Sequence, residues 1–245
     1  MSVIATTEAV VLTKIDFRET SKIANLYTRE FGRIPVIVKG AKTSNSKIGR
    51  VIDVLNLVNA VIYNKPGREV QLLSGADLQQ FYPSIKSDYD KIKYASAVIE
   101  LINRLLPENE PSHRIFAGTK KILQNFETLS EKPYLIFARY FLFFIEEIGY
   151  ELQVNVCSEC SGVISGENIA GMDYARGMVC MDCSKKHLSF VPFDRELFRL
   201  LECLKYGKKA VVYNHRMVQA ILSHFENYLK YHVSSFSGLN SLHKF

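Results

Sequence analysis

The sequence predicts an α+β chain of more than one domain: a small N-terminal β-barrel, a helical domain, and a four-cysteine segment inserted into the helices. Three observations predict it. Residues 1 to 80 are short runs rich in Val, Ile, Leu and Tyr, separated by polar or Gly/Pro-bearing turns. From Pro83 onward the apolar residues recur at helical spacing. Residues 155 to 184 hold four cysteines and four glycines with little helical period. At 245 residues and 47% hydrophobic content the chain can bury a sizeable core, which excludes disorder as a reading of the whole.

The strand candidates are EAVVLTKIDF, SKIANLYTRE, RIPVIVKG, VLNLVNAVIYN and EVQLLSG, with turns such as FGR and NKPGRE between them. Five strands in about 80 residues fit a small barrel, and the five-stranded OB-fold is a common barrel of that size that handles nucleic acid. Another small β-barrel accounts for the pattern too. The helical region starts with Tyr89, Ile92, Ala95, Ile99, Ile102 and Leu106 on one face, ended by Pro107. Pro111 is placed to open a second helix through HRIFAGTKKILQNF. Pro133 opens a third, and Gly149 is placed to cap it. After VPFD, Asp194 and Asn214 stand as N-caps of two more helices. The partition predicted is 1–80 for the nucleic-acid-binding barrel, 81–150 and 186–245 for the helical domain, and 151–185 for the insertion.

Cys157-x-x-Cys160 is followed, after nineteen intervening residues, by Cys180-x-x-Cys183. That is the spacing of a four-thiolate zinc site, because one tight turn places two sulfurs on one metal and two such turns complete a tetrahedron. Four thiolates close the coordination sphere, so the one Zn²⁺ expected here is structural. A thioredoxin-like redox pair needs a βαβ context that this region lacks. Nucleic-acid deaminases use H-x-E followed by P-C-x-x-C, whereas His224-Phe225-Glu226 comes after the cysteines and no proline precedes either pair. Cys203 lies among apolar helical neighbours and reads as core.

The formal net charge is +6, which favours an anionic partner. Arg29, Arg33, Lys39, Lys42, Lys47 and Arg50 fall within 22 residues, opposed only by Glu30. The stretch KGAKTSNSKIGR joins cations to Gly, Ser, Thr and Asn, a loop that can present ammonium, guanidinium and backbone donors to phosphates. A solvated loop that keeps the barrel soluble explains the same composition. Tyr27, Phe31 and Tyr63 are candidates for base stacking, and equally for barrel core. Walker-type, dinucleotide-binding, zinc-protease and nucleophile-elbow motifs are absent from the sequence, so it is not read as an enzyme. The N-terminus shows no secretory pattern. The longest apolar run, YLIFARYFLFFI, spans 12 residues around Arg139 and is too short for a bilayer. A cytoplasmic protein without a membrane partner is expected.

The segment FRETSKIANLYTREFGRIPVIVKGAK, Phe17 to Lys42, resembles the RecO family of bacterial recombination mediators. Members show an E-T/S-S segment, an aromatic-Thr pair, F/S-G-R and K-G-A-K/R. Here these are Glu19-Thr20-Ser21, Tyr27-Thr28, Gly32-Arg33 and Lys39-Gly40-Ala41-Lys42. The likeness extends over the chain, through a four-cysteine insertion after FFIEEIGYELQV to a short tail. Some members have lost the cysteines, whereas this chain keeps all four. The tail reads Leu239-Asn240-Ser241, with Asn where members carry Lys. The resemblance implies an OB-fold, binding of single- and double-stranded DNA, and annealing of strands coated with single-strand binding protein (SSB). It implies RecR and, in some species, RecF as partners in loading RecA, at the nucleoid. It also implies a pocket for the SSB C-terminal tail, for which Arg139, Lys120 and Lys121 are the candidate cations. The alternative is a zinc-ribbon interaction scaffold without annealing activity.

Overall fold

The computed structural model describes residues 3–186, 189–207 and 212–243. Five strands, β1 (Val3–Phe17), β2 (Ser21–Thr28), β3 (Gly32–Val38), β4 (Leu57–Asn64) and β5 (Gln71–Gln80), close into a barrel of order β1-β2-β3-β5-β4. β3 and β5 run parallel, the other pairs antiparallel, an OB-like arrangement. The length of β1 makes closure possible. Val3–Val10 pair with β4, and Ala9–Phe17 pair with β2 across an irregularity between Val11 and Thr13. β1 begins five residues before the apolar run that marks it, because Thr6 and Thr7 hide its start.

Strand alternation sends one residue in two inward. Ala9 and Val11, Ala24 and Leu26, Ile34, Val36 and Val38, Val58, Ala60 and Ile62, and Leu73 form the buried core. Tyr27 is fully buried, and its hydroxyl donates to the Ser112 carbonyl at 3.2 Å. Gly32 has φ +64°, and a Cβ there would run into the Glu110 backbone. The Asn109 N–H donates to the Arg33 carbonyl at 3.0 Å. These three contacts tie the segment before the second long helix to the β2–β3 turn.

A short helix, α1 (Lys47–Val51), lies between β3 and β4. After the barrel, α2 (Pro83–Ser87), α3 (Tyr89–Leu105), α4 (His113–Thr128) and α5 (Pro133–Glu147) precede the cysteine segment, and α7 (Arg195–Tyr206) and α8 (His215–His232) follow it. Asp88, Ser112, Asp194 and Asn214 cap α3, α4, α7 and α8 with side-chain oxygens that accept from the backbone three residues on. Ser112, not Pro111, starts α4, since its hydroxyl satisfies the Ile115 N–H. The buried face of α3 centres on Tyr94, Ala95, Val98, Leu101 and Ile102. Tyr89, expected on that face, is 60% exposed, because capping by Asp88 places it in the first turn. Gly149, at φ +93°, ends α5 as expected. None of the described helices is long and apolar enough to cross a membrane.

The chain forms two compact units. One joins the barrel, α2 to α4 and the C-terminal α9 (Asn240–His243); the other runs from Glu131 to Leu239. In the first, α9 packs on α3. The Glu100 carboxylate accepts from the Asn240 and Ser241 N–H groups at 2.9 and 2.8 Å, and from the Ser241 hydroxyl at 2.8 Å. The backbone makes this contact, so a Lys at position 240 is not needed for it. Burial opposes the Glu100 charge, but the Ser241 and Asn240 donors and Arg104 outweigh it and hold its carboxyl below the usual range. A carboxylate whose folded pKa is depressed stabilises the fold above its unfolded pKa, about 4.3, and loses that contribution as pH falls through the lower folded value. Hydrogen exchange of α9, Asn240–His243, is therefore expected to rise below about pH 4, and Glu100→Ala to raise it at neutral pH by about 1–3 kcal/mol of lost protection. Unchanged exchange in that variant would refute the latch.

Candidate metal centre and nucleic-acid interface

The cysteine segment builds a small fold around its sulfurs. The first pair sits in a knuckle: the Cys157 N–H donates to the Gly162 carbonyl, and the Ser161 N–H to the Cys157 carbonyl, both at 2.9 Å. Ser161 takes the left-handed conformation, φ +57°, that turns the chain back. The second pair closes a hairpin. β6 (Ile169–Asp173) and β7 (Gly177–Cys180) pair antiparallel, and Cys180 leads into the one-turn helix α6 (Met181–Ser184), which carries Cys183. β8 (Val191–Pro192) adds a third strand to β6. The Ser158 N–H donates to the Met178 carbonyl at 2.9 Å, which joins knuckle to hairpin.

All four sulfurs lie within 4.8 Å of one another, and Cys160 and Cys180 are 4.0 Å apart. A tetrahedron with zinc–sulfur bonds of about 2.3 Å has edges of about 3.8 Å, so the donor set fits such an ion with small movements. Burial opposes a charge on Cys157, but donors from Cys160, Cys180 and Glu159 outweigh it and bring its pKa down to about 6. Cys183 is pushed up to about 12, first by its thiol contacts with Cys180 and Cys160 and then by burial. Among the described residues no other group of three or more Cys, His, Asp or Glu converges in this way. His224 faces the Tyr174 hydroxyl at 3.0 Å, and buried Glu226 accepts from the Leu239 N–H at 2.6 Å. Both ends of the H-x-E sequence are thus engaged in packing.

The basic constellation divides between the two ends of β3: Arg29 and Arg33 stand at the β2–β3 turn, and Lys39, Lys42, Lys47 and Arg50 follow its other end. The Lys42 N–H donates to the Thr20 carbonyl at 2.9 Å, and the Lys42 ammonium pairs with Asp16 at 3.2 Å while reaching the Arg18 carbonyl. The β1–β2 turn is thereby laced to the Lys39–Lys42 turn. KGAKTSNSKIGR is not all loop: Ser46 caps α1 by accepting from the Gly49 N–H at 3.1 Å. Gly49 rests directly on the Ala41 carbonyl, where a Cβ has no room. That contact brings Lys47 and Arg50 beside Lys42. Gly49→Ala is expected to push α1 off, costing about 1–3 kcal/mol and weakening DNA binding together with stability. A melting curve and a binding isotherm like those of wild type would exclude this packing.

The six cations differ in what they are free to do. Lys39, Lys47 and Arg50 are exposed and have no acidic partner among the described residues. Lys42 is committed as above. Arg29 lies 3.6 Å from Glu30. The Arg33 side chain is only 19% exposed and faces Glu108 at 3.8 Å. Of the aromatics, Tyr27 is spent in the core and burial raises its pKa. Phe31 packs partly against the core, and Tyr63 is 37% exposed. Two cations were missed by sequence reasoning. Arg18, over the Phe17 ring at 5.2 Å, lies in the turn that Lys42 holds, and Lys22 pairs in register with Val38 beside Lys39. Only the strand pairing reveals them. Of the candidate tail contacts, Arg139 is the exposed position of apolar α5 and pairs with Glu131 at 2.7 Å. Lys120 pairs with Glu8 at 2.6 Å, and Lys121 is exposed on α4. Arg139 belongs to the second compact unit and the two lysines to the first.

A family model described as "Recombination protein O N terminal" matches residues 1–82, and one described as "Recombination protein O C terminal" matches residues 86–243. The chain is similar to the DNA repair protein RecO of Geobacter metallireducens, at 29% identity over 208 residues, 84% of this chain and 82% of that protein. It is similar to the DNA repair protein RecO of a Thermoanaerobacter species, at 29% over 204 residues, 83% and 79% of the two chains. The DNA repair protein RecO of Chlorobium luteolum is 31% identical over 167 residues, 68% and 61% of the two chains.

Proposed function

Because this chain belongs to the Recombination protein O family, whose curated members are DNA repair proteins, we propose that it binds DNA and anneals complementary single strands coated with SSB. With RecR, and with RecF where that protein is used, it then promotes RecA loading in the cytoplasm, on the nucleoid. The observation that carries this reading is the exposed face of Lys39, Lys47 and Arg50, with Arg18 and Lys22 beside them, on an OB-like barrel. Annealing two polyanions is opposed by phosphate repulsion. A cationic surface that holds both strands lowers the repulsion, releases counterions and raises the local strand concentration. No bond in the DNA is broken, so the reading calls for no catalytic residue.

In the sequence partition, 1–80 meets DNA, and the insertion 151–185 carries one structural Zn²⁺ on Cys157, Cys160, Cys180 and Cys183. Those ligands leave the ion no open position for a reacting water. The acidic, apolar-ended SSB tail is assigned to the helical domain, with Arg139 on α5 as its cation. The exposed Val156 and Val163 on the knuckle, 41% and 78% accessible, favour a second reading in which the segment docks a protein.

Annealing of complementary oligonucleotides precoated with SSB, followed across a salt series without nucleotide, tests the proposal. Acceleration that fades as salt rises is expected. No acceleration and no DNA binding at low salt, from zinc-loaded protein, would leave the docking scaffold as the better account.

A further inference from the structure

A cleft of about 670 Å³ lies within the first compact unit, between the barrel and α4. One stripe of α4 lines it, through His113, Ala117, Lys120, Lys121 and Gln124, which follow the three-and-four spacing of a helix face. The barrel contributes Arg29 from the β2–β3 turn and Gln79 from β5. Buried Tyr82 and Phe116 supply apolar surface. The cleft exists because Tyr27 and Gly32 fasten the start of α4 to the barrel.

Its lining is unspent in a particular way. Lys120 is answered by Glu8, and Arg29 by Glu30. Lys121 has no acidic partner among the described residues, and there the Gln79 and Gln124 side chains bond to no other protein group. A primary amide sets a donor beside an acceptor, the complement of a nucleobase edge, while an ammonium suits a phosphate. The volume is that of a small-ligand site, about 300–1,000 Å³. Arg29 and the Lys39–Arg50 cations lie at opposite ends of β3, seven residues or roughly 23 Å apart, a distance of several nucleotides of extended strand.

We propose that this cleft receives one unstacked nucleotide of a bound single strand, with its phosphate on Lys121 and Arg29 and its base edge on Gln79 and Gln124. The proposal rests on the DNA-binding reading above and adds to it a site that samples bases. An acidic peptide with an apolar end suits the cleft less well, because Glu8 already stands against Lys120 and two of the three free groups, Gln79 and Gln124, are amides.

The test uses the full chain and the double variant Lys121→Gln with Gln124→Leu. Both residues are exposed on α4, and the melting temperature checks the fold. Labelled single-stranded 12-mers of dA, dC or dT are the probes. Losing one phosphate contact at 0.1 M salt weakens single-strand binding about fivefold, and losing the amide bond weakens it a few-fold more. The expected result is about a tenfold or greater loss, a salt slope lower by roughly 0.7, and smaller differences between the three 12-mers. Unchanged affinity in the double variant, while Lys39→Gln, Lys47→Gln, Arg50→Gln still loses binding, would overturn the cleft and leave the DNA reading intact. Wild-type protein that binds none of the 12-mers would overturn both. A double variant that keeps the DNA but loses an SSB-tail peptide would convert the cleft into a peptide site and end the proposal.

Discussion

Replacing Cys157 with serine is expected to release the metal and unfold residues 155–184, while the barrel stays folded. Cys157 is the most buried of the four clustered cysteines, at 1% exposure, and its backbone closes the knuckle. Structural zinc contributes on the order of 10–16 kcal/mol of binding free energy in small zinc peptides, and that energy is also folding energy. Without it the segment retains a hairpin of five- and four-residue strands and a two-residue third strand. A sheet of that size is marginal in water. Metal content should fall from about one ion per chain to near zero, and amides of β6 and β7 should lose protection. Cys203→Ser should do neither. The barrel lies in the other compact unit and should keep its exchange pattern. A Cys157→Ser protein with full zinc content and unchanged protection would refute the site.

The second large effect is electrostatic. Lys39→Gln, Lys47→Gln, Arg50→Gln together should weaken single-strand binding about 100-fold at 0.1 M salt, since each phosphate contact contributes a slope of about 0.7 and hence roughly fivefold there. The log–log salt slope should fall by about 2, and the loss should be similar for every sequence. Lys42→Gln makes a useful contrast. Its ammonium is held by Asp16 and by the Arg18 carbonyl, so it should cost stability and change the salt slope less. An unaltered slope in the triple variant would remove these residues from the interface.

Much of this was legible in the sequence, for identifiable reasons. β3 reads plainly because its burial alternates at every position from Gly32 to Val38. The helix starts at Asp194 and Asn214 read plainly because capping is a local act of one side chain. The convergence of the four cysteines reads plainly because two C-x-x-C turns are a spacing that local geometry alone makes recognisable. Other features were hidden. β6 and β7 are short and mostly buried along their length, so they carry no alternation to detect. Turn composition concealed α1, whose single turn depends on Gly49 meeting Ala41. The Lys120–Glu8 pair joins residues 112 apart, and no local pattern announces it. Arg18 and Lys22 enter the basic face only through the β1–β2 turn and the β2–β3 register. The presence of Gln79 and Gln124 in one cleft is announced by no motif, since β5 and α4 bring them together only in the folded chain.

The docking of α9 on α3 also bears on how the protein is made. A ribosome delivers α9 after every element it covers, so α3 must wait for its last partner through the synthesis of more than a hundred residues. Until then the α3 surface under Leu242 is open and Glu100 lacks its tail donors. Messages cut short upstream of α9 would yield chains with a finished barrel and an uncovered apolar strip beside a carboxylate that keeps Arg104 but lacks its tail donors, a combination suited to capture by chaperones and proteases.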